Sequence, residues 1–255
     1  MKDLPQKQEA LVDGQRIAYG VAGSGALTVV MISGAGGPMM GWYKLFPAVR
    51  ELGKVVIYDR PGVGDSPRPV APQTGQTVVE TLHRLLLAIG AHPPYVLVGH
   101  SFGGLHANLY ARLHPDEVAG VVFLEATAPE DIGTMKQHQS SMARALNGVL
   151  NVFSRPNSND EVSLERETVE QIAAAPAFPA VPVVVLSGGK TPPGWMADGR
   201  ALAMRDRHQE GLARLSPLGK RVVATGSGHF PQMSEPQRVL EAITEVIAAW
   251  RVGAA

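Results

Sequence analysis

The segment Tyr95-Val-Leu-Val-Gly-His-Ser-Phe-Gly-Gly104 decides the fold of the chain. Its first four residues form an apolar run typical of a buried strand, and residues 105–113 place apolar side chains at helical spacing. Between these patterns, residues 99–103 match the motif G-x-S-x-G. A sharp turn here would lift the hydroxyl of Ser101 above the sheet, and the small flanking residues would avoid clashes. The segment predicts a nucleophilic serine; the alternative is a glycine-rich turn whose serine only caps the helix.

Similar apolar runs recur along the chain, and they are typical of strands that are buried on both faces of a parallel sheet. They lie at residues 27–32, 55–58, 118–124, 181–186 and 221–225. Asp13-Gly14 predicts a hairpin turn near the start, and amphipathic helices are predicted over residues 78–89 and after Glu235-Pro236. The alternation predicts an α/β fold with a mostly parallel central sheet and helices on both faces.

Residues 127–180 break this alternation, because about fifty residues separate two strand-like runs. A loop of that length without secondary structure is improbable in a compact domain, and lids over active sites are the usual exception. We therefore predict a helical cap insertion over 127–180, with residues 1–126 and 181–255 forming the core. The apolar residues of this segment at roughly helical spacing fit either a packing face or a lid that faces substrate: Met135, Met142, Leu146, Val149 and Phe153.

Composition narrows the class of protein. Of the 255 residues, 45% are hydrophobic and 18% are charged, which fits one globular domain. Basic and acidic residues number 23 each, so no net charge attracts nucleic acid or anionic lipid. The absence of cysteine excludes disulfides, thiolate metal sites and a cysteine nucleophile. With neither a signal-peptide pattern nor a membrane-spanning run, we expect a cytoplasmic protein; the oligomeric state stays open.

A serine hydroxyl is a weak nucleophile near neutral pH, so a general base must lie within hydrogen-bond reach of it. His229 is the best candidate, because it follows the last strand-like run in a loop that would lie at the carboxyl edge of the sheet. The remaining histidines fit surface or packing positions better: His83, His92, His100, His106, His114, His138 and His208.

Three motifs together make the chain resemble the α/β-hydrolase family over nearly its whole length apart from the cap. Ser33-Gly-Ala-Gly-Gly37 resembles the oxyanion-loop motif His-Gly-x-x-Gly, with serine in place of histidine. Asp59-Arg-Pro-Gly-Val-Gly-Asp-Ser66 is similar to the D-R-x-G-x-G-x-S segment, and Gly228-His229 stands where the catalytic histidine falls. The resemblance implies an oxyanion hole formed by the backbone N–H groups of Ala35 and Phe102.

The acid of the expected triad has two candidates. The family most often places it after the seventh strand, but the run that ends at Lys190 has no carboxylate until Asp198. Some members carry the acid after the sixth strand instead, where this chain has Glu125. We favour Glu125 and keep Asp198 as the alternative. Either carboxylate would accept a hydrogen bond from the second N–H of His229 and fix its tautomer.

These residues predict a serine hydrolase that cleaves a carboxylic ester, or a related acyl bond, of a small apolar substrate through acyl-Ser101. The chemistry requires neither a metal nor an organic cofactor. An acyltransferase, a perhydrolase or a carbon–carbon bond hydrolase would use the same triad, and a receptor without turnover is a further alternative. For the substrate pocket we name Gly34, Trp42, His100 and Trp195, although each aromatic side chain taken singly is more often part of the core than of a pocket.

Overall fold

The computed structural model describes residues 4–135, 161–190 and 199–253, and within them eight strands form one sheet. The strands are β1 Gln8–Val12, β2 Gln15–Ala22, β3 Thr28–Ile32, β4 Lys54–Tyr58, β5 Tyr95–His100, β6 Val118–Leu124, β7 Val183–Gly188 and β8 Gly219–Ala224. Their order in the sheet is β1-β2-β4-β3-β5-β6-β7-β8. Strand β2 pairs antiparallel with both β1 and β4, and the remaining pairings are parallel. The predicted mostly parallel sheet is confirmed.

Helices connect the strands. They are α1 Phe46–Val49, α2 Gly75–Ala88, α3 Gly103–Leu113, α4 Pro129–Met135, α5 Glu165–Ala174, α6 Gly199–Ala213, α7 Pro231–Ser234 and α8 Pro236–Gly253, with 3₁₀ turns at Met39–Trp42 and Pro115–Glu117. The start of α2 is fixed by Thr74, whose side chain accepts a hydrogen bond from the N–H of Thr77. In the described part of the chain, no helix combines the length and apolarity needed to cross a bilayer.

Alternate strand residues point to opposite faces of the sheet, which divides the core into two layers. Val30 and Ile32 of β3 pack with Leu82 of α2 and Leu105 of α3 on one face. Val29 and Met31 lie in the other cluster, which includes Phe46 of α1 and Val246 of α8. Helices therefore cover both faces, as predicted, which is why the central strands contain almost no polar side chains.

The predicted cap is described only in part. Helix α5 packs on the core, since Ile172 is buried in the same cluster as α2 and α3. The side-chain oxygen of Gln171 also accepts a hydrogen bond of 2.8 Å from the N–H of Gln76 at the start of α2. Residues 136–160 lie outside the described residues, as do Trp195 and Asp198. The cap therefore stays a prediction.

Candidate active site

Ser101 stands in the turn between β5 and α3. Its φ is +51°, in the left-handed region that residues other than glycine rarely adopt. The turn is possible because glycines stand two positions before and two positions after Ser101. A Cβ on Gly103 would lie 2.4 Å from the carbonyl oxygen of Ile32, and one on Gly99 would lie 2.8 Å from that of Gly103. The strand-turn-helix arrangement therefore requires small residues on both sides of the serine, and it holds the hydroxyl at the carboxyl edge of the sheet.

His229 lies in the loop between β8 and α7, and its ring reaches Ser101. Its Nε2 atom is 3.0 Å from the Oγ atom of Ser101, a hydrogen-bond distance across 128 positions of sequence. The side chain of His229 is 28% exposed, so the ring borders solvent as well as the serine. This geometry allows the imidazole to accept the proton of the hydroxyl.

Glu125 follows β6, and it also has a left-handed backbone, with φ +46°. Its Oε2 atom is 3.6 Å from Nδ1 of His229, longer than an ordinary hydrogen bond but close enough for an ionic interaction. Its Oε1 atom accepts a hydrogen bond from the N–H of Gly188, at the end of β7. The three side chains therefore meet in the order serine, histidine, carboxylate. The alternative acid, Asp198, lies outside the described residues.

Arg205 on α6 contacts the same carboxylate oxygen that faces His229. Burial alone would raise the pKa of Glu125, but the interactions with His229, Arg205 and the Gly188 N–H outweigh it and hold the pKa below its usual range. Glu125 is therefore ionised at neutral pH, which is the state that can stabilise an imidazolium.

This lowered pKa makes a prediction for stability. A carboxylate whose pKa is lower in the folded than in the unfolded state stabilises the fold above its unfolded pKa, about 4.3 for glutamate, and loses that contribution as the pH falls through the folded value. Glu125→Gln should therefore lower the free energy of unfolding more at pH 7 than at pH 3.5. Urea unfolding of both proteins at several pH values checks this, and a difference independent of pH would contradict it.

The glycine-rich loop after β3 approaches the serine closely. A Cβ on Gly34 would lie 3.0 Å from the Cβ of Ser101 and 3.2 Å from Nδ1 of His100. Ala35 and Phe102 are buried beside the serine. Within the described residues, neither Ala35 nor Phe102 uses its backbone N–H in a hydrogen bond to the protein, whereas the N–H groups of Gly36 and Gly37 are both bonded. Both expected oxyanion donors are therefore available in the described part of the site.

The family model described as the alpha/beta hydrolase fold matches residues 28–204. This chain belongs to the α/β-hydrolase family. The thermophilic esterase from Thermogutta terrifontis superposes with a TM-score of 0.68 over 96% of this chain and 99% of that chain, at 19% identity. Because the identity is low, that likeness concerns the fold alone.

Curated relatives of this α/β-hydrolase include uncharacterized protein YqjL of Bacillus subtilis, 28% identical over 89% of this chain and 86% of its own length. Polyneuridine aldehyde esterase of Rauvolfia serpentina is 33% identical, but the match covers 35% of this chain and 34% of the plant protein. The chain spans only 39% and 17% of the length of two other curated relatives. These likenesses leave the activity and the substrate of this chain open.

Two residues expected in the pocket of this α/β-hydrolase have structural partners. His100 is buried, and its Nε2 atom lies 2.8 Å from the carbonyl oxygen of His229. Since a carbonyl only accepts, Nε2 carries the proton; burial, helped by the nearby His229, lowers the pKa of His100 to about 3 and keeps the ring neutral. Trp42 is also buried, and its indole N–H donates to Oγ of Ser33 at 2.9 Å. Both side chains thus support the loops around Ser101.

The sequence patterns do not identify three charged side chains of this site. Arg205 belongs to a polar helical stretch without a motif, and Glu161 carries no local signal at all. Arg60 stands inside the D-R-x-G-x-G-x-S segment, so the motif could have drawn attention to it. Their contacts join residues that are distant in sequence, which composition and periodicity do not reveal.

A second histidine cluster lies at the opposite edge of the sheet, where β6 begins. Of the residues that the structure describes, His83, His114 and Glu117 have potential ligand atoms within 4.8 Å of one another. The two rings are stacked, with centroids 4.1 Å apart and planes at 23°, so their in-plane lone pairs do not converge on one point. Glu117 contacts Nε2 of His83 at 3.1 Å and accepts from the Tyr110 hydroxyl at 2.8 Å. We interpret this cluster as packing.

Proposed function

We propose that the protein is a serine hydrolase that cleaves carboxylic esters, or related acyl bonds, of small apolar substrates through an acyl-Ser101 intermediate. One observation carries the proposal: Ser101 Oγ lies 3.0 Å from Nε2 of His229, whose other ring nitrogen faces the buried carboxylate of Glu125. A nucleophile, a base and an orienting acid in this order are what acyl transfer needs.

In the proposed reaction, His229 takes the proton of Ser101 as the serine oxygen attacks the ester carbonyl carbon. The carbonyl oxygen becomes an oxyanion, which accepts hydrogen bonds from the N–H groups of Ala35 and Phe102. The intermediate then breaks its bond to the alkoxy oxygen, which leaves as the alcohol with the proton from His229. Water repeats the sequence on the acyl-enzyme and releases the carboxylic acid. Glu125 stays ionised and stabilises the imidazolium in both halves.

The residue type at position 101 separates this chemistry from alkyl transfer on the same fold. Haloalkane and epoxide hydrolysis use a carboxylate nucleophile there, whereas this chain has a serine. The similarity to polyneuridine aldehyde esterase, a protein named for ester cleavage, supports the acyl assignment. The buried aromatic and aliphatic residues around the turn favour substrates with apolar acyl or alcohol groups of modest size.

The proposal is tested by covalent labelling. A fluorophosphonate should modify the wild-type protein once, at Ser101, and His229→Ala should remove the labelling because the serine then lacks its base. Ser24, which is exposed in the loop between β2 and β3, offers a matched control, since Ser24→Ala should label like the wild type. A folded protein that never labels would instead favour a small-molecule-binding protein that kept the fold without turnover.

A panel of p-nitrophenyl esters then defines the substrate. We expect rates to depend on acyl chain length, with a preference for short to medium chains, as follows from the small apolar substrate proposed above. Phosphatase or sulfatase substrates with the same leaving group serve as controls and should not react. Turnover of those compounds without ester turnover would overturn the assignment.

A further inference from the structure

We propose that Arg60 and Glu161 are positioning residues that hold the oxyanion loop, residues 33–37, in its active shape. The inference rests on the proposed function, because it concerns the N–H of Ala35. The two side chains form a buried bidentate ion pair: Nε of Arg60 donates to Oε2 of Glu161 at 2.7 Å, and Nη2 donates to Oε1 at 2.9 Å. Their side chains are 2% and 0% exposed.

The pair forms hydrogen bonds with three backbone groups of the loop. Nη1 of Arg60 donates to the carbonyl oxygen of Ser33 at 2.7 Å, and Nη2 donates to that of Gly34 at 2.6 Å. Oε1 of Glu161 accepts from the N–H of Gly36 at 3.0 Å. The bonded groups lie on both sides of Ala35 in the sequence, so the pair fixes the loop around the one N–H of this loop that the proposed reaction uses.

Because the peptide unit is planar, these hydrogen bonds also determine the direction in which the Ala35 N–H points. The carbonyl of Gly34 and the N–H of Ala35 belong to one planar trans peptide, so they point in opposite directions. When Arg60 fixes the Gly34 carbonyl, it fixes the orientation of the Ala35 N–H as well. Glu161 also occupies the N–H of Gly36, which leaves Ala35 as the donor of this part of the loop.

Asp59, which precedes Arg60, holds the chain just beyond the other end of the same loop. Oδ1 of Asp59 accepts a hydrogen bond of 2.6 Å from the N–H of Met39, two residues beyond the loop's end. Asp59 and Arg60 are consecutive at the carboxyl end of β4, which lies beside β3 in the sheet. The D-R dipeptide therefore connects the end of β4 to the loop that follows β3.

A role in positioning explains why charges occupy this place. Removing two charges from water is costly, and a buried ion pair can often be replaced by apolar side chains without loss of stability. Burial would lower the pKa of Arg60, but Glu161 outweighs this effect and raises it, so the guanidinium stays charged. Apolar side chains of similar size could fill the volume, but they could not hold the carbonyl and N–H groups of the loop.

The test exploits this difference with the double variant Arg60→Met/Glu161→Met. We expect its melting temperature to fall, because the carbonyl of Ser33 and the N–H of Gly36 lose their partners. At a temperature where the variant is fully folded, its kcat for a p-nitrophenyl ester should fall by about 10²- to 10³-fold, as when one oxyanion donor is lost. KM should change little, because the oxyanion forms only in the transition state. A matched control is Arg238→Met/Glu241→Met, which removes an exposed pair on α8 and should keep wild-type kinetics.

A second readout separates positioning from general support of the fold. Affinity for a boronic acid, which forms a tetrahedral adduct on serine, should fall about as much as kcat in the double variant. Arg60→Lys covers the case in which the double variant does not fold: it keeps the charge but cannot form the forked contacts, so kcat should again fall by at least about 10-fold.

Wild-type kcat and boronate affinity in a folded Arg60→Met/Glu161→Met or Arg60→Lys protein would overturn the inference. Failure of the proposed function looks different. In that case the wild type itself would show no ester hydrolysis that depends on Ser101, whatever residues stand at 60 and 161.

Discussion

Replacing Ser101 with alanine should lower kcat for ester hydrolysis by about 10⁶-fold, as loss of the nucleophile does in a serine protease. The hydroxyl is the group that forms the covalent bond, and His229, which lies 3.0 Å from it, has no other nucleophile to activate within the described site. What remains should be the small rate enhancement from binding and from the oxyanion donors. Stopped-flow and steady-state measurements on a reactive p-nitrophenyl ester give both rates.

Two variants make this result specific. Ser24→Ala removes a hydroxyl from an exposed loop, and it should keep the wild-type kcat. The double variant Ser101→Ala/His229→Ala should be no slower than Ser101→Ala alone, because residues that act as one unit are not additive. Equal rates for wild type and Ser101→Ala would show that the hydrolysis does not use this serine.

The sequence predicts this nucleophile because the signal is local. The backbone around Ser101 is restricted by features that follow one another in the sequence: β5, Gly99, Gly103 and the start of α3. The parallel strands can also be predicted from the sequence, since burial on both faces requires a continuous apolar run. The placement of His229 follows from a rule of topology, because loops after parallel strands gather at one edge of the sheet.

The supporting charges could not be predicted in the same way. The contact between Arg60 and Glu161 spans 101 positions, and Glu161 has no motif around it. Arg205 faces Glu125 only because α6 packs on β7 and β8, an arrangement that depends on tertiary packing. Periodicity shows which face of a helix is apolar, but not which charged residue on it meets a distant carboxylate.

The second large effect concerns Glu125. Glu125→Gln should lower kcat by about 10⁴-fold, following the behaviour of a serine protease whose triad aspartate becomes asparagine. The amide N–H₂ would donate to Nδ1 of His229 and so place the ring proton on Nε2, where it faces the hydroxyl of Ser101. A ring in that tautomer cannot accept the serine proton. Asp198→Asn, measured beside it, should be nearly silent, and the opposite ranking would transfer the role of the acid to Asp198.

Arg205 distinguishes the wrong tautomer from a simple loss of charge balance. In Glu125→Gln the guanidinium of Arg205 loses its carboxylate partner, and the unpaired positive charge beside His229 would itself oppose formation of an imidazolium. If that charge caused the defect, Arg205→Met in the Glu125→Gln background would restore most of the activity. The tautomer argument predicts that it does not, because the amide still donates to Nδ1. Recovery of more than about 10-fold in kcat, out of the 10⁴-fold expected loss, would favour the charge and reject the tautomer.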